Sequence, residues 1–177
     1  PLTSALGVMT LASYVWIYTP MKRWSTLCTV VGAVPGAVPA MMGWTAVRGA
    51  LGPEAVALFG ILFLWQLPHF LAIAILYRDE YARGGYQMLP VVDEGLHATS
   101  WQIVLWGLAL IPVSLLPTIF RMAGPLYFVS ALLLGVIFAG FGMVCAVSKG
   151  RAEARQLFLA SITYLPLLLA SMMIDKI

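Results

Sequence analysis

The placement of charge along this chain constrains its fold more than any other feature. Its 177 residues include 10 Lys and Arg and 7 Asp and Glu, and these fall between six long stretches that carry none of them. The stretches are 1–21, 24–47, 55–77, 98–120, 122–148 and 156–174. Each is near the roughly 20 residues that an α-helix needs to cross a hydrocarbon core. No stretch alternates polar with apolar residues as the wall of a membrane β-barrel would. The chain therefore reads as an all-α, polytopic transmembrane helix bundle of six spans in a single domain, 1–177, a multi-pass integral membrane protein. At 62% hydrophobic residues, it holds more apolar surface than a water-soluble domain of this size can hide.

Orientation follows from the basic residues in successive loops. If every stretch crosses the bilayer, Lys22, Arg23, Arg78, Arg83, Lys149, Arg151 and Arg155 lie on one side, and Arg48, Arg121 and Lys176 on the other. The richer side is the cytoplasmic one or its equivalent. The net charge of +3 is spread over loops that face anionic lipid, so membrane lipid is the partner implied and no nucleic acid is. Cys28 and Cys145 both fall inside spans, where packing is the expected role. The chain opens on Pro1 without the charged start or cleavage site of a secretory signal, and it reads as a fragment incomplete at its N-terminus.

Breakers agree with these spans: Thr19-Pro20 closes the first, Gly52-Pro53 precedes the third and Gly124-Pro125 opens the fifth. One connection is long. Between Arg78 and Thr99 it holds Arg78, Asp79, Glu80, Arg83, Asp93, Glu94 and His97. So much titratable chemistry in a charge-poor chain marks where function is to be sought. The second span carries Gly32-Ala33-Val34-Pro35-Gly36-Ala37-Val38-Pro39. Its small residues four apart allow close helix approach, and its prolines free carbonyls and kink the helix.

The third span contains Trp65-Gln66-Leu67-Pro68-His69-Phe70 and runs into Tyr77-Arg78-Asp79-Glu80-Tyr81. If the helix persists, His69 and Glu80 share a face, with His69 about 16 Å deeper. Gln66 and His69, three apart, are neighbours on that helix. The expectation is a polar stripe from the acidic loop into the membrane, with His69 either lining a ligand cavity or making an interhelical hydrogen bond. Asp79 and Glu80 are adjacent and diverge by about 100° on a helix, so they do not naturally chelate one ion together. With Arg78 and Arg83 beside them they suit either Mg²⁺ held against phosphate oxygens or an ordinary salt-bridged surface loop. Lys22 and Arg23, on the same side, add positive charge.

These runs, in this order and spacing, resemble the protohaem farnesyltransferases, or haem O synthases, a branch of the UbiA superfamily of intramembrane prenyltransferases. The resemblance extends over the whole chain. It is carried by Tyr18-Thr19-Pro20-Met21-Lys22-Arg23, Val30-Val31-Gly32-Ala33-Val34-Pro35-Gly36, Gly43-Trp44, Trp65 to Phe70, Tyr77 to Tyr81, Gly85, Met88-Leu89-Pro90-Val91-Val92, Ala154-Arg155 and Tyr164-Leu165-Pro166. It implies nine transmembrane helices around a central cavity, of which the six spans here are the fourth to the ninth. It also implies two acidic motifs that hold farnesyl diphosphate through Mg²⁺. The first is absent from this chain. The second corresponds to Tyr77 to Tyr81, where Glu80 stands at a position that many relatives give to Asp.

On that resemblance the reaction transfers a farnesyl group to a vinyl side chain of haem B, with addition of water, in a bacterial inner membrane. The product haem O feeds haem A synthase and terminal oxidase assembly. Asp79 and Glu80 are the metal-binding and catalytic carboxylates and His69 a further catalytic residue. Lys22, Arg23, Gln66, Tyr77, Arg78, Tyr81 and Arg83 are the substrate-binding set. Two alternatives stand beside this reading: a UbiA-type enzyme prenylating a quinone or pigment precursor, and a transporter or assembly protein without chemistry. Against the last, the ionisable groups crowd one rim and His69 alone lies within a span, whereas transporters hold substrate near the midplane.

Overall fold

A computed structural model describes all 177 residues. Six helices are long and apolar enough to cross a membrane: α1 (Leu2–Met21), α2 (Cys28–Arg48), α3 (Pro53–Leu76), α6 (His97–Ile119), α7 (Pro125–Ser148) and α8 (Arg151–Ile174). Two short helices, α4 (Arg78–Arg83) and α5 (Leu89–Val92), lie between α3 and α6. Apart from an isolated antiparallel bridge between Ala123 and Lys176, all regular structure is helical.

The six expected spans are all present. The largest boundary difference is at α8, which begins at Arg151 while the uncharged stretch begins at 156. Arg151, Glu153 and Arg155 occupy its first turns, where a helix emerges from the hydrocarbon and charged side chains keep their water. α2 starts four residues late because 22–27 form turns. Prolines 35, 39, 68, 112, 117 and 166 all lie inside helices. In a membrane bundle neighbouring helices and side chains satisfy the groups that proline leaves free. In α1, residues Tyr14–Tyr18 are π-helical. Pro20 cannot donate to the ladder there, and the Thr19 hydroxyl donates to the Tyr14 carbonyl at 2.9 Å.

Helices α3, α6, α7 and α8 pack in a closed ring, each against two neighbours, while α2 lies on α3 and α1 on α2. The main core sits inside the ring, with Ile61, Leu71, Ile103, Leu110, Tyr127, Phe138, Leu157 and Leu168 essentially sealed. Close approach of α6 and α7 depends on missing side chains. A Cβ at Gly135 would lie 3.1 Å from Ile111 Cγ1, and one at Gly142 3.3 Å from Ile103 Cγ2. A buried polar chain ties three helices: the Tyr127 hydroxyl donates to the Ser114 carbonyl at 2.7 Å, and Ser114 Oγ meets the Tyr164 hydroxyl at 2.7 Å. With no water in the core, such groups must find each other.

The glycine pair of the second span does permit close approach, but to two different partners. A Cβ at Gly32 would run into the Tyr18 ring on α1, and one at Gly36 into Gln66 Oε1 on α3. Gln66, buried, donates from Nε2 to the Ala33 carbonyl at 2.6 Å, joining α3 to the proline-kinked part of α2. Both cysteines are buried and free. Cys28 packs on Met88, sulfur to sulfur at 3.6 Å, in keeping with a packing role.

Candidate functional site

The acidic connection folds onto one end of the bundle because α3 does not continue through it. Tyr77, with φ −109° and ψ 30°, ends α3, and α4 restarts at Arg78. The expected continuous stripe from Gln66 through His69 to Glu80 is therefore corrected in two respects. The helix breaks before Asp79, so the three-turn alignment of His69 with Glu80 does not hold. Gln66 and His69, although one turn apart, serve opposite neighbours: Gln66 bonds to α2, and His69 Nδ1 lies 2.7 Å from Ser161 Oγ on α8.

What replaces the stripe is a seam between α3–α4 and α8. At the rim, Arg151 Nη2 donates to Asp79 Oδ2 at 2.9 Å. Deeper, the Trp65 indole N–H donates to the Ser161 carbonyl at 2.8 Å. The imidazole of His69 stacks on Trp65, with centroids 5.0 Å apart, and on Phe158 at 5.2 Å. Residues 151, 158 and 161 are seven and ten positions along α8, about two and three turns, which is why one face of that helix meets all of these groups. Sequence spacing reveals no partner on a separate helix, so Arg151, Phe158 and Ser161 are additions that only the fold supplies, whereas Trp65, four residues before His69 on α3, is a neighbour that helical spacing alone implies.

The two carboxylates diverge as their adjacency requires. Asp79 pairs with Arg151, and Glu80 pairs within its own helix with Arg83 at 3.6 Å. Both pairs are well exposed, so Coulomb attraction between them is screened and small. That makes the carboxylates easy to redirect toward a ligand. Arg78 Nη1 reaches the Glu94 carbonyl at 3.4 Å, and Tyr77 and Arg23 are exposed. Lys22 Nζ lies over the Tyr18 ring, 4.4 Å from its centroid, and its carbonyl accepts from Gln87 N–H at 2.8 Å. The turn carrying Lys22 and Arg23 is thus docked on the segment that follows α4. Tyr81 packs half-buried beside Tyr86, with centroids 6.1 Å apart. Burial, reinforced by the neighbouring Cys28, Tyr77 and Tyr86, pushes its phenol pKa up.

Other titratable groups of the loop are engaged in structure. Asp93 accepts from the N–H groups of His97 (3.1 Å) and Thr99 (2.8 Å) and from the Thr99 hydroxyl (2.9 Å), capping α6. Partial burial works against its ionisation, yet these hydrogen bonds outweigh it and hold the carboxyl below its ordinary pKa. Lys149 donates to the Gly95 carbonyl at 2.7 Å and sits 3.0 Å from His97 Nδ1.

No three His, Cys, Asp or Glu side chains gather anywhere, so there is no all-protein metal cage, and Asp79 and Glu80 are exposed carboxylates held only by screened arginine pairs. That donor set fits Mg²⁺ in one mode, in which one or two carboxylates hold an ion whose remaining ligands are phosphate oxygens and water.

Residues 1–169 match the UbiA prenyltransferase family. The chain belongs to that family. It is 51% identical to a protein named protoheme IX farnesyltransferase from Koribacter versatilis (strain Ellin345), over 99% of this chain and 59% of that protein. Proteins of the same name from Solibacter usitatus and Myxococcus xanthus are 49% and 42% identical, each over 99% of this chain and 60% of their own length. The chain thus spans about three fifths of the length of the curated relatives it matches. No solved structure matches it.

Proposed function

We propose that the complete protein transfers the farnesyl group of farnesyl diphosphate to a vinyl group of haem B, giving haem O. The observation that carries this reading is the likeness, across 99% of the chain, to UbiA-family proteins bearing that name. The geometry supports it, because the membrane end that holds Asp79 and Glu80 also gathers Arg78, Arg83, Arg151, Lys22 and Arg23.

Ionising an allylic diphosphate demands stabilisation of charge on the leaving group. Mg²⁺ held by Asp79 and Glu80 would supply Lewis-acid neutralisation of the diphosphate. Arg78, Arg83 and Arg151, each with a guanidinium fork matched to phosphate, contact its oxygens. Lys22 and Arg23 add charge from the docked turn. The apolar helices below exclude water from the allylic cation until it is captured. Tyr77 and Tyr81 border the diphosphate region, and Gln66 shapes the α2–α3 wall by holding the kinked helix in place. His69 faces the reacting end of the prenyl chain. The protein works in a bacterial inner membrane, and its product passes to haem A synthase or to terminal oxidase assembly.

The test is reconstitution of the complete protein in lipid with haem B, farnesyl diphosphate and Mg²⁺, read by mass spectrometry. Appearance of haem O supports the reading. Prenylation of a quinone or pigment precursor with haem B untouched moves the protein to another branch of the family, and absence of any prenyl transfer leaves only the membrane architecture.

A further inference from the structure

We propose that Ser161 of α8 is a positioning residue that fixes the tautomer of His69, so that His69 Nε2 accepts the proton released when water adds to the prenylated vinyl group. This deepens the haem-prenyltransferase reading above and rests on it.

The proton inventory at this point of the seam leaves one consistent arrangement. Ser161 Oγ lies 2.5 Å from the Phe158 carbonyl oxygen, and a carbonyl can only accept, so the hydroxyl proton of Ser161 is in that bond. The same oxygen is 2.7 Å from His69 Nδ1. With its one proton already committed, Ser161 accepts there, and Nδ1 is the protonated nitrogen. Nε2 is then a lone-pair acceptor. No residue of the chain bonds to it, and unlike Trp106 Nε1 and Thr118 Oγ1 it is not sealed inside the bundle.

The ring plane is set by the same residue. Trp65 stacks on the imidazole, 20° from parallel, while its indole N–H is held by the Ser161 carbonyl; Phe158, 29° from parallel, supports it from α8. A base that only needed burial would require none of this alignment. His69 lies eight residues before the break at Tyr77, about 12 Å below the rim.

The step balances. The vinyl π pair forms a bond to the first farnesyl carbon as that carbon's bond to oxygen breaks, and diphosphate leaves with the pair. The resulting cation, on the vinyl carbon next to the macrocycle, takes a lone pair from water, and the water proton passes to Nε2. The imidazolium keeps its Nδ1–H bond to Ser161 and later releases the proton to solvent. Without an aligned base the same cation sheds a proton from its neighbouring CH₂ and yields an alkene lighter by one water.

The complete protein, reconstituted in lipid with haem B, farnesyl diphosphate and Mg²⁺, tests this with Ser161→Ala, Ser161→Thr and His69→Gln. Total diphosphate release reports that each variant is folded and ionises its substrate, and the ratio of hydroxylated to dehydrated farnesyl-haem is the diagnostic. Ser161→Ala is expected to lower hydroxylated product roughly ten-fold with a rise in the dehydrated form. Ser161→Thr, which keeps the hydroxyl, restores the wild-type ratio, and His69→Gln gives mainly the alkene. An unchanged ratio in Ser161→Ala overturns the inference while leaving the prenyltransferase reading intact, as does equal damage from Thr and Ala. A wild-type protein that leaves haem B unprenylated overturns the reading itself, and the inference with it.

Discussion

The two ends of the bundle use the same residue types for opposite purposes. At the end that carries the acidic loop, Asp79 and Glu80 are exposed and paired only with equally exposed arginines. At the other end, Asp175 is drawn into the backbone: its Oδ2 accepts from Tyr127 N–H at 2.8 Å and its carbonyl from Gly124 N–H at 2.9 Å. It thereby caps α7 from the end of α8, at a helix N-terminus where negative charge is favoured. A cleft of about 610 Å³ beside it is lined by Arg48, Arg121 and Lys176 without ion-pair partners. A carboxylate in a backbone cap is committed to the fold, whereas one in a screened surface pair is available to a ligand. Whether a carboxylate accepts from backbone N–H groups or only from an exposed side chain therefore separates structural acids from candidate functional ones, and acidity alone does not.

This contrast can be broken most sharply by neutralising the rim. Asp79→Asn and Glu80→Gln in the complete protein are expected to lower the rate of prenyl transfer by roughly 10²–10³, with unfolding temperature in detergent nearly unchanged. A loss of stability without loss of rate would place these carboxylates in the structural class. The other end should behave in reverse. Asp175→Ala, which uncaps α7, is expected to cost about 1–2 kcal/mol in denaturant unfolding while activity per folded molecule is kept. Gly124→Ala belongs with it, because its Cβ would fall 2.8 Å from the Asp175 carboxylate.

Arg151→Gln sharpens the comparison at lower amplitude. The exposed Asp79 pair contributes about 0–0.5 kcal/mol, so stability should barely move, while KM for farnesyl diphosphate rises several-fold. An unaltered KM would mean that Arg151 only holds α8 against α4.

The smallest effect belongs to Asp93, the one committed acid at the functional end. Its carboxyl is held below its ordinary pKa by the cap on α6, so its contribution is fully present above the unfolded-state value and fades as pH falls through the lowered folded one. Hydrogen exchange at His97 and Thr99 should accelerate on acidification through that window. In Asp93→Asn the same amides should exchange with little pH dependence beyond the intrinsic rate, and identical profiles would remove the cap from the account.

Much of the architecture was legible from charge spacing alone. Uncharged stretches near the length of a bilayer crossing that do not alternate polar with apolar residues satisfy their backbone in hydrocarbon as helices and not as barrel strands, so six spans follow before any packing is known. The site was legible in part. Asp79, Glu80, Arg78 and Arg83 sit together because they are neighbours in the chain, and the divergence of the two acids follows from helical geometry. Their relation to His69 was not legible, because it depended on whether α3 continued past Tyr77.

What the sequence determined by itself is therefore local or one-dimensional: which segments enter the membrane, which loops stay out and which residues share a turn. The tertiary structure decided pairings between segments far apart in the chain. It gave Asp79 to Arg151 across 72 residues, His69 to Ser161 across 92 and Gln66 to Ala33 across 33. The physical reason is that in a dry bundle a polar side chain must bond to whichever helix faces it. Which helix that is depends on packing of small against large residues at glycines such as Gly36 and Gly135, which periodicity alone does not encode.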